Sequence, residues 1–267
     1  MDYPVSIILA GISSTVVAVI AIVLCFIKII PKYRERRQMA TLYLCLTFFG
    51  WAGACLSATT VYFTAGFSLD VGGIFQKSIY TCIFAATIFT FLFASEIFFT
   101  IKKMWNWIYI AIGIICILII DIFGSSEISF VQPENYPVLD LETTFGLILL
   151  AYLLPTLIGI FITARNTSKR LDESAPNRDL FKVGYNLIGW AQVFTFFVFI
   201  VDTIATSAIT IPALYSLFLI LTWVFALFAV FCYYEGALLP DNIKKWIEWR
   251  KSRAAVKPLA KPRANED

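Results

Sequence analysis

The chain has 267 residues, 60% of them hydrophobic and only 15% charged, with a mean hydropathy of +0.81 and a formal net charge of +3. Soluble domains average nearer half apolar and a quarter charged, so a compact water-soluble fold has no way to hide this much apolar surface. Histidine is absent, which removes His-based catalysis, His-ligated haem or zinc, and phosphohistidine chemistry on this chain; no cofactor and no metal site is predicted.

Apolar segments fall near 6–30, 39–65, 77–101, 105–123, 144–165, 183–206 and 210–234. At about 1.5 Å rise per residue each can cross a hydrocarbon core of about 30 Å with modest tilt. Runs this long satisfy their backbone in lipid only as helices, so the prediction is an all-α seven-transmembrane helix bundle over 1–235. The breaks are Pro31, Gly72-Gly73, "KKMWN", "VQPENYP" and "DESAPNRD", ordinary turn punctuation. The first span lacks a basic leader and a small-residue cleavage site, so it is read as a retained helix.

Of the 21 Lys and Arg, four lie in 31–38, two at 102–103, five in 165–182 and eight after Glu235. With Lys28 that puts 20 on one side and leaves Lys77 alone on the other. The positive-inside rule then sets the N-terminus outside and the C-terminus in the cytoplasm. The sequon Asn166-Thr167-Ser168 falls on the cytoplasmic side and is expected to be unmodified. Residues 236–253 are expected to form a cytoplasmic amphipathic helix, with Ile243, Trp246 and Ile247 on one interfacial face. A disordered tail is expected over 254–267. The six cysteines all lie in apolar runs without a C-x-x-C pair, so they read as small packing residues rather than a disulfide or zinc framework.

Ionisable groups at membrane depth are functional candidates because they cost a few kcal/mol unless paired or hydrated. Glu96 sits in "TFLFASEIFF" near the cytoplasmic end of the third span, within reach of Lys102 or Lys103 for a structural ion pair. Asp202 sits near the outer end of the sixth span and Asp121 near the outer end of the fourth. Glu96 and Asp202 approach opposite surfaces, so they cannot form a paired-carboxylate dyad. Gln192, Thr195, Asp202 and Thr206 recur at spacings of 3, 7 and 4, one face of a helix. Such a stripe turns inward simply because lipid rejects it; in its functional version it lines an outward-facing pocket where Asp202, with Asp121, meets a ligand or cation. Gly50, Ala54 and Ser57-Ala58 make a small-residue stripe for close helix packing. Pro155 should kink the fifth span, as a hinge or as a fixed shape, and Trp51 marks the second.

No lysine occurs in 210–234, which excludes a retinal protein of the usual kind. An Asp-Arg-Tyr motif after the third span and an Asn-Pro-x-x-Tyr motif in the seventh are both missing, so the G-protein-coupled receptor pattern fits poorly. The basic "KYRERR" after span one, Trp51 in "FFGWAGA", "FASEIFF" closing span three and "FAVFCYYEGALLPDNIKKWIE" after span seven occur in order. In these the chain resembles the N-terminal seven-transmembrane sensor region of bacterial and archaeal histidine kinases, over about residues 6–248. It departs where Ile97 replaces the usual tyrosine and where Cys232 and Tyr234 stand at common arginine positions, and no kinase domain follows.

The resemblance implies a sensor module without kinase activity. The expected function is a stand-alone, multi-pass receptor-like protein of the cell membrane, not an enzyme, that detects an extracellular or membrane-borne cue. Asp202, Thr195, Thr206, Gln192 and Asp121 are the expected ligand site; Glu96, Pro155 and Trp51 are expected to be structural or coupling residues. The expected partners are the lipid bilayer, an unidentified ligand, and a cytoplasmic protein reading the 165–182 loop and the 241–253 helix, with no nucleic acid. The alternatives are a small solute or proton-coupled transporter, which usually shows repeated halves and broken helices, and a structural membrane assembly subunit.

Overall fold

In a computed structural model that describes residues 4–99, 103–131, 135–172, 177–239 and 243–249, the chain is helical apart from one two-stranded hairpin. Helix α1 (Val5–Leu24) passes through a wide π-type turn, Cys25–Ile29, into α2 (Ile30–Arg36). Then follow α3 (Met39–Thr64), α4 (Leu69–Ile97), α5 (Lys103–Phe123), strands β1 (Ser126–Val131) and β2 (Tyr136–Leu141), α6 (Thr143–Arg170), α7 (Arg178–Ser207) and α8 (Pro212–Leu238). With α1 and α2 continuous as one, seven helices are long and apolar enough to cross a membrane. This is the architecture of a multi-pass membrane protein.

The helices close a ring in chain order. α1 lies against α3, α3 along α4, α4 beside α5, α5 on α6, α6 on α7, α7 along α8, and α8 returns to α1. α5 is the most peripheral, with only Gly113 and Ile120 buried. Helix termini gather at two ends of the ring, one bearing the hairpin (the hairpin end) and the other most of the Lys and Arg (the basic end).

Small and hydroxyl residues share the buried faces with large apolar ones. On α1 the large residues Ile8, Ile12, Val16, Val19 and Val23 are exposed, while Ser6, Ala10, Gly11, Ser14, Ala18 and Ala21 are buried. Lipid rewards no sequestration of leucine or valine, so association falls to close packing and interhelical hydrogen bonds. The Ser14 hydroxyl accordingly meets the Thr59 hydroxyl at 2.7 Å between α1 and α3. On Gly50 an added Cβ would stand 2.8 Å from Ala86 Cβ, which sets the approach of α3 to α4. On Gly236 it would stand 2.8 Å from the Gly184 carbonyl oxygen and 2.9 Å from the Ile188 nitrogen, so α7 and α8 touch backbone to backbone.

The basic end is held by few, specific contacts. Cys25 Sγ lies 3.7 Å from Cys45 Sγ where the π-type turn meets α3. The Lys32 ammonium donates to the Leu238 carbonyl at 2.6 Å and so ties α2 to the last turn of α8. Cations are favoured at that pole of a helix because its final carbonyls are unpaired. The predicted basic loop at 165–182 is mostly helix, since α6 runs to Arg170 and α7 starts at Arg178. A bond from the Ser168 hydroxyl to the Lys182 carbonyl (3.3 Å) braces the two extensions. Residues 243–249 form a short helix; the remainder of the predicted 241–253 helix and the predicted tail at 254–267 lie outside the described residues.

The main departure from the predicted elements is the break at "VQPENYP". Its flanks pair as antiparallel strands, with Ser126 opposite Leu141, Glu127 opposite Asp140 and Val131 opposite Tyr136. The hairpin packs Val131, Tyr136 and Val138 against Ile7, Ala205, Tyr215 and Leu219, covering that end of the ring.

Gly236→Val forces α7 from α8 and is expected to cost on the order of 2 kcal/mol or more, as overpacking does. Gly146, with nothing within 4 Å of an added Cβ, is expected to tolerate Ala. Thermal unfolding midpoints in detergent check both.

Candidate functional site

Beneath the hairpin the ring encloses a cavity of about 580 Å³. The ring leaves its centre unfilled unless large side chains enter it, and on the facing stripe of α3 the sequence supplies Ala54, Cys55 and Ala58, with α5 lining none of the space among the described residues. α7 contributes Thr195, Phe199, Asp202 and Thr206 on successive turns, a rise of about 16 Å along the wall. α8 contributes residues from Tyr215 down to Tyr233, and α4 contributes Gln76, Tyr80 and Ile83. The hairpin supplies the roof through Glu127, Ser129, Val138 and Asp140. Period-two alternation turns these four to one side of the two strands.

The charge on this wall is of one sign. Glu127, Asp140 and Asp202 line the cavity, and among the described residues no Lys or Arg does. The Tyr80 hydroxyl donates to Asp140 Oδ1 at 3.0 Å, and Gln76 Nε2 approaches the same hydroxyl at 3.5 Å. Asp140 and Asp202 lie near enough to act electrostatically on each other and on the hydroxyls of Tyr62 and Tyr215. Among the described residues the Asp202 carboxylate has no hydrogen bond or ion pair; only its backbone carbonyl is used, by Thr206 at 3.3 Å. Tyr215 is 1% exposed, lines the cavity, and has no hydrogen bond to its hydroxyl among the described residues. The indole nitrogen of Trp223, also on the wall, is buried without a partner.

Three of the five predicted ligand residues, Asp202, Thr195 and Thr206, share this cavity. Gln192 lies one turn deeper than Thr195, fully buried, its Nε2 donating to the Tyr233 hydroxyl rather than lining the space. Asp121 is placed elsewhere. It is exposed on the last turn of peripheral α5, accepting from the Thr81 hydroxyl at 3.0 Å, with its carbonyl bound by Lys77 at 3.1 Å. No residue of α5 lines the cavity among the described residues, and α4 stands between Asp121 and that space. Asp140 and Glu127 occupy the ground expected of Asp121. The signal that marks them is the short alternation in "EISFV" and "YPVLDL", weak beside the long apolar runs.

The structural residues divide similarly. Trp51 lines the cavity and packs on Phe199 with ring centroids 6.4 Å apart. Pro155 lies inside an unbroken α6, exposed, next to Thr156, which the Tyr109 hydroxyl contacts. Glu96 is exposed on the last turn of α4 and makes no ion pair or hydrogen bond among the described residues; Lys102 lies outside them. An exposed carboxylate of this kind is solvated by water at little cost.

No protein-family profile, curated protein or solved structure matches the chain, and what the site can do follows from its own chemistry. A partly open, mostly apolar space of this volume falls in the range of small-molecule sites, about 300–1,000 Å³. Its roof is held by Tyr136, whose hydroxyl donates to the Tyr62 carbonyl at 2.6 Å and accepts from the Gly66 amide at 3.3 Å. Tyr136→Phe removes both and is expected to loosen the hairpin by about 1–2 kcal/mol, visible as faster amide exchange in 126–141 with the helices unchanged.

Proposed function

We propose that this chain is a receptor-like membrane sensor that takes a small ligand into the cavity beneath the hairpin and reports it at the basic end. The observation that carries this reading is a cavity partly closed by the hairpin, with a half-buried, unpartnered carboxylate, Asp202, in the wall formed by a membrane helix. An acid without a partner at membrane depth is costly, and a binding role gives that cost a purpose. The positive-inside rule assigns the basic end to the cytoplasm and the hairpin to the outside. The resemblance to histidine-kinase sensor regions supports the same assignment.

α8 carries the signal in this reading. Its first turn brings Tyr215 to the cavity, and its last carbonyls receive Lys32 from α2. A ligand that prefers one packing of α8 against α1 and α7 shifts the population of the two by its differential affinity, and by no more. The partner then reads the helical extensions flanking 171–177 and the helix at 243–249. A transporter is the second reading, favoured by the depth of the cavity: Tyr233 on its wall lies only five residues from the far end of α8.

The test is a panel of small cationic, neutral and anionic amphiphiles applied to the full chain in lipid nanodiscs. A binder at saturating concentration is expected to raise the melting midpoint by about 4 °C or more and to change amide exchange in 165–172, 178–182 and 243–249. Ala58→Phe, which fills the cavity, is expected to abolish both effects. Stabilisation without any change at the basic end, or accumulation of the compound inside proteoliposomes, overturns the sensor reading.

A further inference from the structure

The cavity's chemistry specifies its ligand more narrowly than its volume does. We infer that it is built to hold an organic cation, an amine or quaternary ammonium carrying an apolar body; this rests on the reading of the cavity as a ligand site.

Charge is the first reason. Glu127, Asp140 and Asp202 face the space with no Lys or Arg among the described lining residues. An anion entering there meets only repulsion, and a neutral ligand leaves Asp202 desolvated without compensation. A cation supplies the missing partner.

The hairpin register is the second reason. Glu127 stands directly opposite Asp140, so two carboxylates share one face of a two-stranded ribbon. Like charges in directly opposed positions destabilise a sheet. The Tyr80 hydroxyl donates to Asp140 Oδ1 at 3.0 Å. A cation seated under the roof relieves the repulsion between the strands and that between Asp140 and Asp202 together, which couples ligand binding to closure of the hairpin.

The walls give the third reason. Trp51, Tyr62, Tyr80, Phe199, Tyr215 and Trp223 line the space, and aromatic faces attract ammonium groups within about 6 Å of their centroids. The Tyr215 hydroxyl, 1% exposed and without a hydrogen bond among the described residues, is a further acceptor directed at the same volume. A bare metal ion fits less well. Among the described residues no three acids, cysteines or histidines come together as a metal-binding group. The three carboxylates are spread over α7 and both strands, which suits a cation of several ångströms' breadth rather than a point charge.

The test measures binding of benzyltriethylammonium, 4-phenyl-1-butanol and benzenesulfonate to the full chain in nanodiscs of zwitterionic lipid. The cation is expected to bind about ten-fold or more tighter than either of the others, and to slow amide exchange across 126–141. Asp202→Asn is expected to lower its affinity about ten-fold, with Asp202→Glu retaining most of it and the neutral compound unaffected. Should Asp202→Asn fail to fold, Glu127→Gln on the exposed strand is expected to weaken the cation about three-fold and to flatten its salt dependence, while Tyr215→Phe weakens it without altering that dependence. Equal affinity for the neutral compound, or cation affinity indifferent to these substitutions, overturns the assignment of charge while leaving the cavity as a ligand site. Absence of cation binding also overturns it, and the wider panel then decides whether the ligand-site reading falls as well.

Discussion

The hydroxyl of Tyr136, donating to the Tyr62 carbonyl and accepting from the Gly66 amide, seats a β-hairpin on the open end of a helical ring. The site depends on that closure. Irregular backbone near membrane depth is tolerated only where protein covers it or it borders a cavity. This hairpin meets both conditions, with Val131 and Tyr136 packed against α1, α7 and α8 and with Glu127 and Asp140 turned to the space below. Without it, the polar turns of α7 would open directly to water and Asp202 would be an ordinary hydrated acid.

The bundle itself is held by different forces from those that hold the roof. Along the ring, backbones approach at Gly50, Gly184 and Gly236, and hydroxyls on α1 and α3 meet. These contacts are short-ranged and insensitive to what fills the centre. The roof instead balances apolar packing against the mutual repulsion of Glu127, Asp140 and Asp202. The frame and the roof are therefore held by different kinds of contact.

The helices were legible because crossing lipid demands long apolar runs, and seven such runs reappear as seven long apolar helices. The face of α7 bearing Thr195, Asp202 and Thr206 was legible too, because a helix repeats every 3.6 residues and lipid rejects polar groups. Periodicity orients a side chain only about its own helix axis. It carries no information on where that helix stands in the ring, and so Asp121 on peripheral α5 was grouped with Asp202 although it faces Thr81. The hairpin was hidden for another reason. Two six-residue strands mixing strand-favouring Ile128, Phe130, Val131, Tyr136 and Val138 with Glu127, Pro137 and Asp140 are a short signal beside apolar runs of twenty or more residues, and the ring offers an apolar seat for Val131, Tyr136 and Val138. Glu96 drew attention as an acid in an apolar run, yet the end of α4 puts it at the surface, where water suffices.

The closure of α8 onto α1 has a consequence for biogenesis. Spans leave the ribosome in order, so α1 emerges with its small polar face bare and finds α3 soon afterwards, but its other neighbour, α8, follows only after α4, α5, α6 and α7. Until α8 inserts, the nascent protein is an open crescent, Tyr215 and Trp223 are missing from the wall, and Asp202 has no chamber around it. The cavity is therefore complete only once α8 is in place, and a chain interrupted before its seventh span carries the acids without the chamber around them.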